Sequence, residues 1–197
     1  MQAALVVTSG VLSVASVLPY ITDVIKRQTK PRIVSWSIWC LLSAITTAAA
    51  FTDHQYPTAI MTGIGVLETL LIVILGWRFG DRRFARLDTV CLFGALVGLG
   101  LWYQFNSPAL AVIAMVVIDM VGSVPTLVHA WRWPYEETWL TFVLWSISSL
   151  FTILAIRQWQ VTSYLPPVYY IVMNTVIALV ILVRQKYSAR GKALAVV

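Results

Sequence analysis

The chain has 197 residues, of which 59% are apolar and only 11% charged, against about 45–50% and about 25% in an average soluble domain. With 9 Trp, 8 Tyr and 7 Phe, the excess sits in large side chains that suit lipid. A disordered chain, a disulfide scaffold and an ordinary soluble enzyme are excluded, and an integral membrane protein is expected.

A helix needs about 20 mainly apolar residues to cross the hydrocarbon core. Seven segments meet that requirement, roughly 3–25, 33–52, 58–78, 88–105, 109–131, 138–157 and 165–184. The expected fold is therefore an all-α membrane protein of seven transmembrane helices. The opening MQAALVVTSG has no basic n-region and reads as the start of the first span, not a cleaved signal. The connections KRQTKPR, TDHQYP, RFGDRRFAR, NSP, WRWPYEE and RQWQVTS are short and carry turn or cap signals, and Pro108 after Asn106 and Ser107 is a good helix start. Cys40 and Cys91 lie in apolar runs and read as small hydrophobes, so neither a disulfide nor a metal site is indicated.

Fourteen Lys and Arg against eight Asp and Glu give a net charge of +6. Their placement argues for topology over nucleic-acid binding. Alternate loops collect Lys26, Arg27, Lys30 and Arg32, then Arg78, Arg82, Arg83 and Arg86, then Arg132, then Arg184, Lys186, Arg190 and Lys192; the opposite side holds Arg157 alone. By the positive-inside rule the N-terminus lies outside and the C-terminus in the cytoplasm, with the cell membrane the expected location. The basic side also attracts anionic lipid.

An internal repeat runs through the chain. Pro19 and Pro125 are 106 residues apart, as are Glu68 and Asn174, and Val66-Leu67-Glu68-Thr69-Leu70-Leu71 aligns with Val172-Met173-Asn174-Thr175-Val176-Ile177. Between these anchors the offset falls to 103, pairing Pro31 with Pro134, Trp36 with Trp139, Leu41 with Leu144 and Ser43 with Ser146. Helices 1–3 thus repeat as helices 5–7, with helix 4 as a linker. The expected division is 1–80 for the first triple-helix repeat, 81–107 for the linker helix and its loops, and 108–197 for the second repeat and a short tail. Both repeats start on the same side, so they are parallel repeats about an axis along the membrane normal, a transporter arrangement.

Polar residues inside apolar spans mark sites, because a carboxylate there costs several kcal/mol. Glu68, near the middle of helix 3, is either a functional group or a protonated acid making one structural hydrogen bond. Asn174, its repeat mate, is a candidate ligand clamp with Glu68; the alternative is interhelical glue. Asp119 is a ligand group, a proton site or a partner for backbone freed near Pro125. Its repeat mate is Ser13, and Ser13-x-x-Ser16-x-x-Pro19 and Asp119-x-x-Gly122-x-x-Pro125 form matching small or polar stripes. Pro19 and Pro125 interrupt helices and serve as hinges or as fixed kinks. Trp36 and Trp139 either sit in an interfacial belt, the favoured expectation, or gate a pathway or stack a ring-shaped ligand, whereas the deeper Trp145 is a pocket candidate. His54 and His129 have no second ligand nearby, so no metal is expected. Gly94-x-x-x-Gly98 fits close packing of the linker helix and leaves a homo-oligomer open.

Leu18-Pro19-Tyr20-Ile21 followed by basic residues, Lys30-Pro31 and Ser35 resembles one PQ-loop signature; Val124-Pro125-Thr126-Leu127, then Arg132, Pro134 and Thr138, resembles the second. With its three-one-three layout, the chain resembles the PQ-loop superfamily of SWEET sugar transporters, semiSWEETs, lysosomal amino-acid exporters and, more distantly, PnuC vitamin transporters. The resemblance implies a substrate pocket between helices 3 and 7, where Glu68 and Asn174 stand at the positions of paired asparagines. It departs in Tyr20 and Thr126, which replace the signature glutamine, and in Glu68, which speaks against a neutral sugar and for a polar or cationic solute or proton coupling.

The leading expectation is alternating-access transport of a small polar solute (sugar, amino acid, amine or vitamin-like), with Glu68, Asn174, Asp119, Trp145 and Ser13 lining the site. Glu68 and Asp119 are the proton-coupling candidates. The rival is a non-transporting seven-helix receptor or cargo-binding adaptor; a retinal protein is excluded, because helix 7 has no lysine before Lys186. No His-Glu-x-x-His, Gly-x-Ser-x-Gly or other catalytic constellation occurs, so an enzyme is not expected, and no cofactor is implied.

Overall fold

A computed structural model of the protein describes residues 2–52, 56–80, 85–102, 104, 108–157 and 159–194. Among these the chain forms seven α-helices and one 3₁₀ turn, with no strand: α1 Gln2–Ile25, α2 Ile33–Thr52, α3 Tyr56–Phe79, α4 Arg86–Trp102, α5 Pro108–Arg132, the 3₁₀ turn Pro134–Glu136, α6 Trp139–Leu154 and α7 Val161–Leu194. Stretches in α1 (Ala3–Ile25), α5 (Val112–Arg132) and α7 (Ser163–Ser188) are long and apolar enough to cross a membrane, and Ile33–Thr47 and Trp139–Leu154 are shorter apolar helices. This is compatible with a membrane protein. His54, Arg82, Arg83, Asn106 and Ser107 lie outside the described residues.

The expected segments and the helices coincide closely except at the ends of α6 and α7. Helix α7 continues to Leu194 instead of stopping near 184. Arg, Gln, Lys and Ala are good helix formers, so the onset of charge after Val183 marks the end of the apolar run, not of backbone hydrogen bonding. Helix α6 stops at Leu154, where the Ala155 N–H closes onto the carbonyls of Phe151 and Thr152.

The turn after α1 is made by a left-handed residue. Arg27 has φ 60°, its N–H donates to the Val24 carbonyl at 2.9 Å, and the Gln28 and Thr29 N–H groups both reach the Asp23 carbonyl. This closes the helix as a glycine usually does. At the equivalent place after α5, Pro134 opens the 3₁₀ turn, its fixed φ suiting a first helical position.

Helix α3 packs against both α1 and α2, and α7 against both α5 and α6; α1 also lies against α6, and α2 against α5. The six helices close a ring, and α4 lies against α5 and α2. An Arg32–Asp88 ion pair fixes the start of α4 to the start of α2. A Cβ on Gly94 would sit 3.6 Å from Val121, so this small residue faces α5, as close helix packing requires.

The two contacts between the first and second halves of the ring differ in kind. Between α1 and α6, Ser9 Oγ lies 3.0 Å from the Ser148 carbonyl and 2.7 Å from Thr152 Oγ1, while Ser148 Oγ donates to the Ser9 carbonyl at 2.8 Å. Between α2 and α5 the contact is steric: a Cβ on Gly122 would lie 2.8 Å from Ile38 Cγ2 and 3.2 Å from Ile38 Cβ. Ile38 is β-branched and holds one rotamer in a helix, so it cannot swing aside. Gly122→Ala is expected to lower stability by about 1–3 kcal/mol through overpacking, despite alanine's better helix propensity. In a thermal or denaturant series the G122A/I38A double variant should lose less than the sum of its single changes; additive losses would place the Gly122 contact elsewhere.

Candidate functional site

The ring encloses a cavity of about 510 Å³ lined by all six of its helices and by no described residue of α4. It begins near Val112 of α5 and Pro166 of α7 and ends at mid-bundle on Trp39, Ser123, Trp145 and Ile177. Every residue expected at a binding site lines it: Glu68, Asn174, Asp119, Trp145 and Ser13.

Asp119 is buried, and its Oδ2 accepts a 2.6 Å hydrogen bond from the Tyr169 hydroxyl. The Ser123 hydroxyl, one turn on, donates to the Asp119 carbonyl at 2.9 Å and lies 3.5 Å from Oδ2. The carboxylate is thus held by hydroxyls on α5 and α7, not spent on backbone freed by Pro125. Asn174 is buried and turns its amide back onto its own helix, donating to the Tyr170 carbonyl at 2.8 Å. Among the described hydrogen bonds none joins it to Glu68; the two side chains line the same cavity, as the two sides of a ligand clamp would. Glu68 Oε1 is buried without a hydrogen-bond partner. Of the carboxylates on the wall, it is the one with an acceptor to spare.

The floor of the cavity is aromatic. Trp36 touches Tyr20 (ring centroids 4.8 Å apart), Trp39 (4.9 Å) and Trp145 (5.8 Å), and Phe142 packs on Tyr20 and Trp145. These rings come from α1, α2 and α6. Each of the latter two helices contributes a pair three residues apart, so both rings of a pair share a face. The belt expectation is corrected for Trp36: it is wholly buried and its indole N–H donates to Tyr20 Oη at 3.1 Å. A buried indole is stable where its N–H finds an acceptor. Trp139, for which the belt is also expected, is 38% exposed.

Beneath the floor, on the basic end of the bundle, the α1–α2 loop is latched to the α5–α6 connection. Tyr20 Oη donates to Glu137 Oε2 at 3.2 Å. Thr138 Oγ1 donates to Asp23 Oδ2 at 2.8 Å and receives the Thr29 hydroxyl at 2.6 Å. The Lys30 N–H donates to the Glu136 carbonyl at 2.9 Å, and the side chains of the same two residues form an ion pair. Glu136 also has His129 Nε2 at 3.5 Å. Sequence reasoning misses this latch, since nothing in Tyr-Glu-Glu-Thr separates a buried Glu137 from a solvated one; Tyr169, Ser123 and Tyr170 escape it for the same reason. Pro19 lines a smaller cleft beside the latch with Asp23, Thr29, Glu137 and Thr138, whereas Pro125 is buried in α5. Among the described residues no three of His, Cys, Asp or Glu converge to hold a metal, and Cys40 and Cys91 are both free thiols.

Comparison of the chain with protein-family models, with curated proteins and with solved structures finds no match.

The Tyr169–Asp119 bond makes a direct prediction. Tyr169→Phe removes a donor from a buried carboxylate and should cost about 1–3 kcal/mol of stability, while Tyr170→Phe, at a half-exposed neighbour, should change little; equal effects would contradict the assignment. A second prediction concerns pH. Burial pushes the Glu137 carboxyl up to about 8, opposed by the Tyr20 hydrogen bond and by Arg32 and reinforced by Glu136. The latched state therefore holds a proton that an opened, hydrated loop releases, and raising the pH from 4.5 through 8 weakens the latch. Asp23, Lys30, Glu136, His129 and Arg32 are the other charged or titratable groups around it. Amide hydrogen exchange in 26–32 and 133–138, corrected for its intrinsic pH dependence, should show more opening at pH 8.5 than at pH 6, and Glu137→Gln should flatten the difference.

Proposed function

We propose that this chain is an integral membrane transporter of a small polar solute. It consists of two parallel triple-helix bundles, in 1–80 and 108–197, joined by the linker helix of 81–107, and works by alternating access between them. The observation that carries the reading is a largely apolar cavity between the two halves, with a few polar groups on its wall and one end shut: Glu68, Asp119 and Asn174 sit at mid-bundle above a floor of packed rings, of which Trp36, Tyr20 and Phe142 are fully buried, and a latch of hydrogen bonds.

The packing supports the repeat. Exchanging α1, α2 and α3 for α5, α6 and α7 maps α2·α3 onto α6·α7, α1·α3 onto α5·α7, and α1·α6 onto α5·α2, which are contacts the fold makes. Helix α4 stands outside the exchange, as a linker would. Parallel repeats with a site at their interface near the midplane are a recurrent transporter design. The resemblance of the two loop signatures to the PQ-loop superfamily adds to this, with Glu68 as the departure that favours a polar or charged solute. Transport requires the latch to open while the other end closes, and Pro19 and Pro125 are the places in α1 and α5 where a helix lacking a backbone hydrogen bond bends. Glu68 and Asp119 are the groups able to carry a coupled proton. With the basic loops in the cytoplasm, the cavity extends toward the outside.

Protein reconstituted into liposomes should take up at least one member of a panel of sugars, amino acids, amines, nucleosides and vitamins in a saturable way. Glu68→Gln and Asn174→Ala should each reduce that uptake at least tenfold with the thermal unfolding temperature nearly unchanged. A solute that stabilises the protein by about 2.7 kcal/mol at a hundredfold excess over Kd but never crosses the bilayer would make the chain a receptor or adaptor instead.

A further inference from the structure

We infer that the cavity binds an organic cation, an ammonium carried on an apolar or aromatic body. The inference rests on the reading of the cavity as a solute site and narrows the class of solute. Two carboxylates, Glu68 and Asp119, face the cavity, and among its described lining residues there is no Lys, Arg or His. Asp119 is already engaged by Tyr169, which leaves the unpartnered Oε1 of Glu68 as the acceptor for a ligand N–H or a positive charge. A buried carboxylate oxygen without a donor is unfavourable, and a bound cation supplies both the missing donor and the compensating charge.

The rest of the wall fits the body of such a ligand. Trp39, Trp145, Tyr169 and Tyr170 line the cavity together with the acids; aromatic rings attract an ammonium or guanidinium within about 6 Å of a ring centroid and cover an apolar body. An anionic solute would meet two carboxylates and no positive partner. A bare Ca²⁺ or Mg²⁺ ion, which takes about six or more oxygen ligands, is a poor fit, since no three acidic, histidine or cysteine side chains converge among the described residues. The volume of about 510 Å³ falls within the range of small-molecule pockets, about 300–1,000 Å³.

The test is binding to the purified full-length protein at one pH. The probes are phenethylammonium and benzyltrimethylammonium, the neutral isostere phenylethanol, the anion phenylacetate, and glucose, followed by calorimetry and by quenching of tryptophan fluorescence. The cations should bind at least tenfold more tightly than phenylethanol, with phenylacetate weakest. Glu68→Gln should abolish that preference and Glu68→Asp should retain it. Should Glu68→Gln not fold, the order of the five probes on the parent protein decides alone. Equal or tighter binding of phenylethanol, phenylacetate or glucose overturns the inference, as does a cation preference indifferent to Glu68→Gln or an absence of binding by every probe. Liposome flux separates this inference from the one beneath it. Cation binding without flux sinks transport and leaves the cation site standing, while flux confined to a neutral or anionic solute does the reverse.

Discussion

The 2.6 Å hydrogen bond from Tyr169 to Asp119 joins α7 to α5 at mid-bundle, and much of the architecture follows from it. Burying a carboxylate away from water is costly unless hydrogen bonds compensate. The bond therefore sets the register of the two helices and cannot slide by a turn. Three residues beyond Asp119 on the same stripe, Gly122 lets Ile38 of α2 approach closely, and three further on Pro125 interrupts the backbone ladder. Bringing α2 in so tightly places Trp39 on the same wall as the acid. With α5 thus committed to α7 and α2, the remaining helices close the ring around a space that none of their side chains fills.

Two different kinds of contact then hold the halves together. The α1–α6 contact is a set of hydroxyl and carbonyl bonds around Ser9 and Ser148. The α2–α5 contact is van der Waals packing over a glycine. Interhelical hydrogen bonds in membranes average only about 0.6 kcal/mol, so the α1–α6 contact is a weak one. In the transport reading the decisive restraint is lower down, where Tyr20, Asp23, Thr29 and Lys30 of the first repeat meet Glu136, Glu137 and Thr138 of the second. Pro19 lies beside that latch, so bending there would swing the loops while the walls of the cavity keep their shape.

Much of the cavity is legible in the sequence, and the reason is physical. A charged or amide side chain in an apolar helix has few tolerable places, so Glu68, Asp119 and Asn174 declare an interior face by their residue type alone; Ser13 is reached by its alignment with Asp119, and Trp145 by its depth in the span. The partners of these residues are not legible. Tyrosine and tryptophan are amphipathic and sit equally well in a core, at an interface or against a ligand, so neither Tyr169 beside Asp119 nor the burial of Trp36 has a pattern of its own. The latch is hidden for a different reason: it joins residues about 110 apart in sequence through two short loops, and loop composition carries no record of which loop meets which. The end of α7 shows the same limit, since hydropathy reports where side chains turn polar and is silent on where backbone hydrogen bonding stops.

The central claim is that the basic end opens and closes while the fold persists. It is tested most directly by spin labels on cysteines placed at the exposed positions Gln28 and Trp133, in a background with Cys40 and Cys91 replaced. Pulsed electron–electron distances would be recorded in lipid nanodiscs, with and without Glu137→Ala. The account predicts two separated distance populations across the α1–α2 and α5–α6 loops, with the longer one gaining weight when the latch loses Glu137. A single narrow distance, unmoved by that substitution, would contradict it and leave a static bundle with a binding cavity.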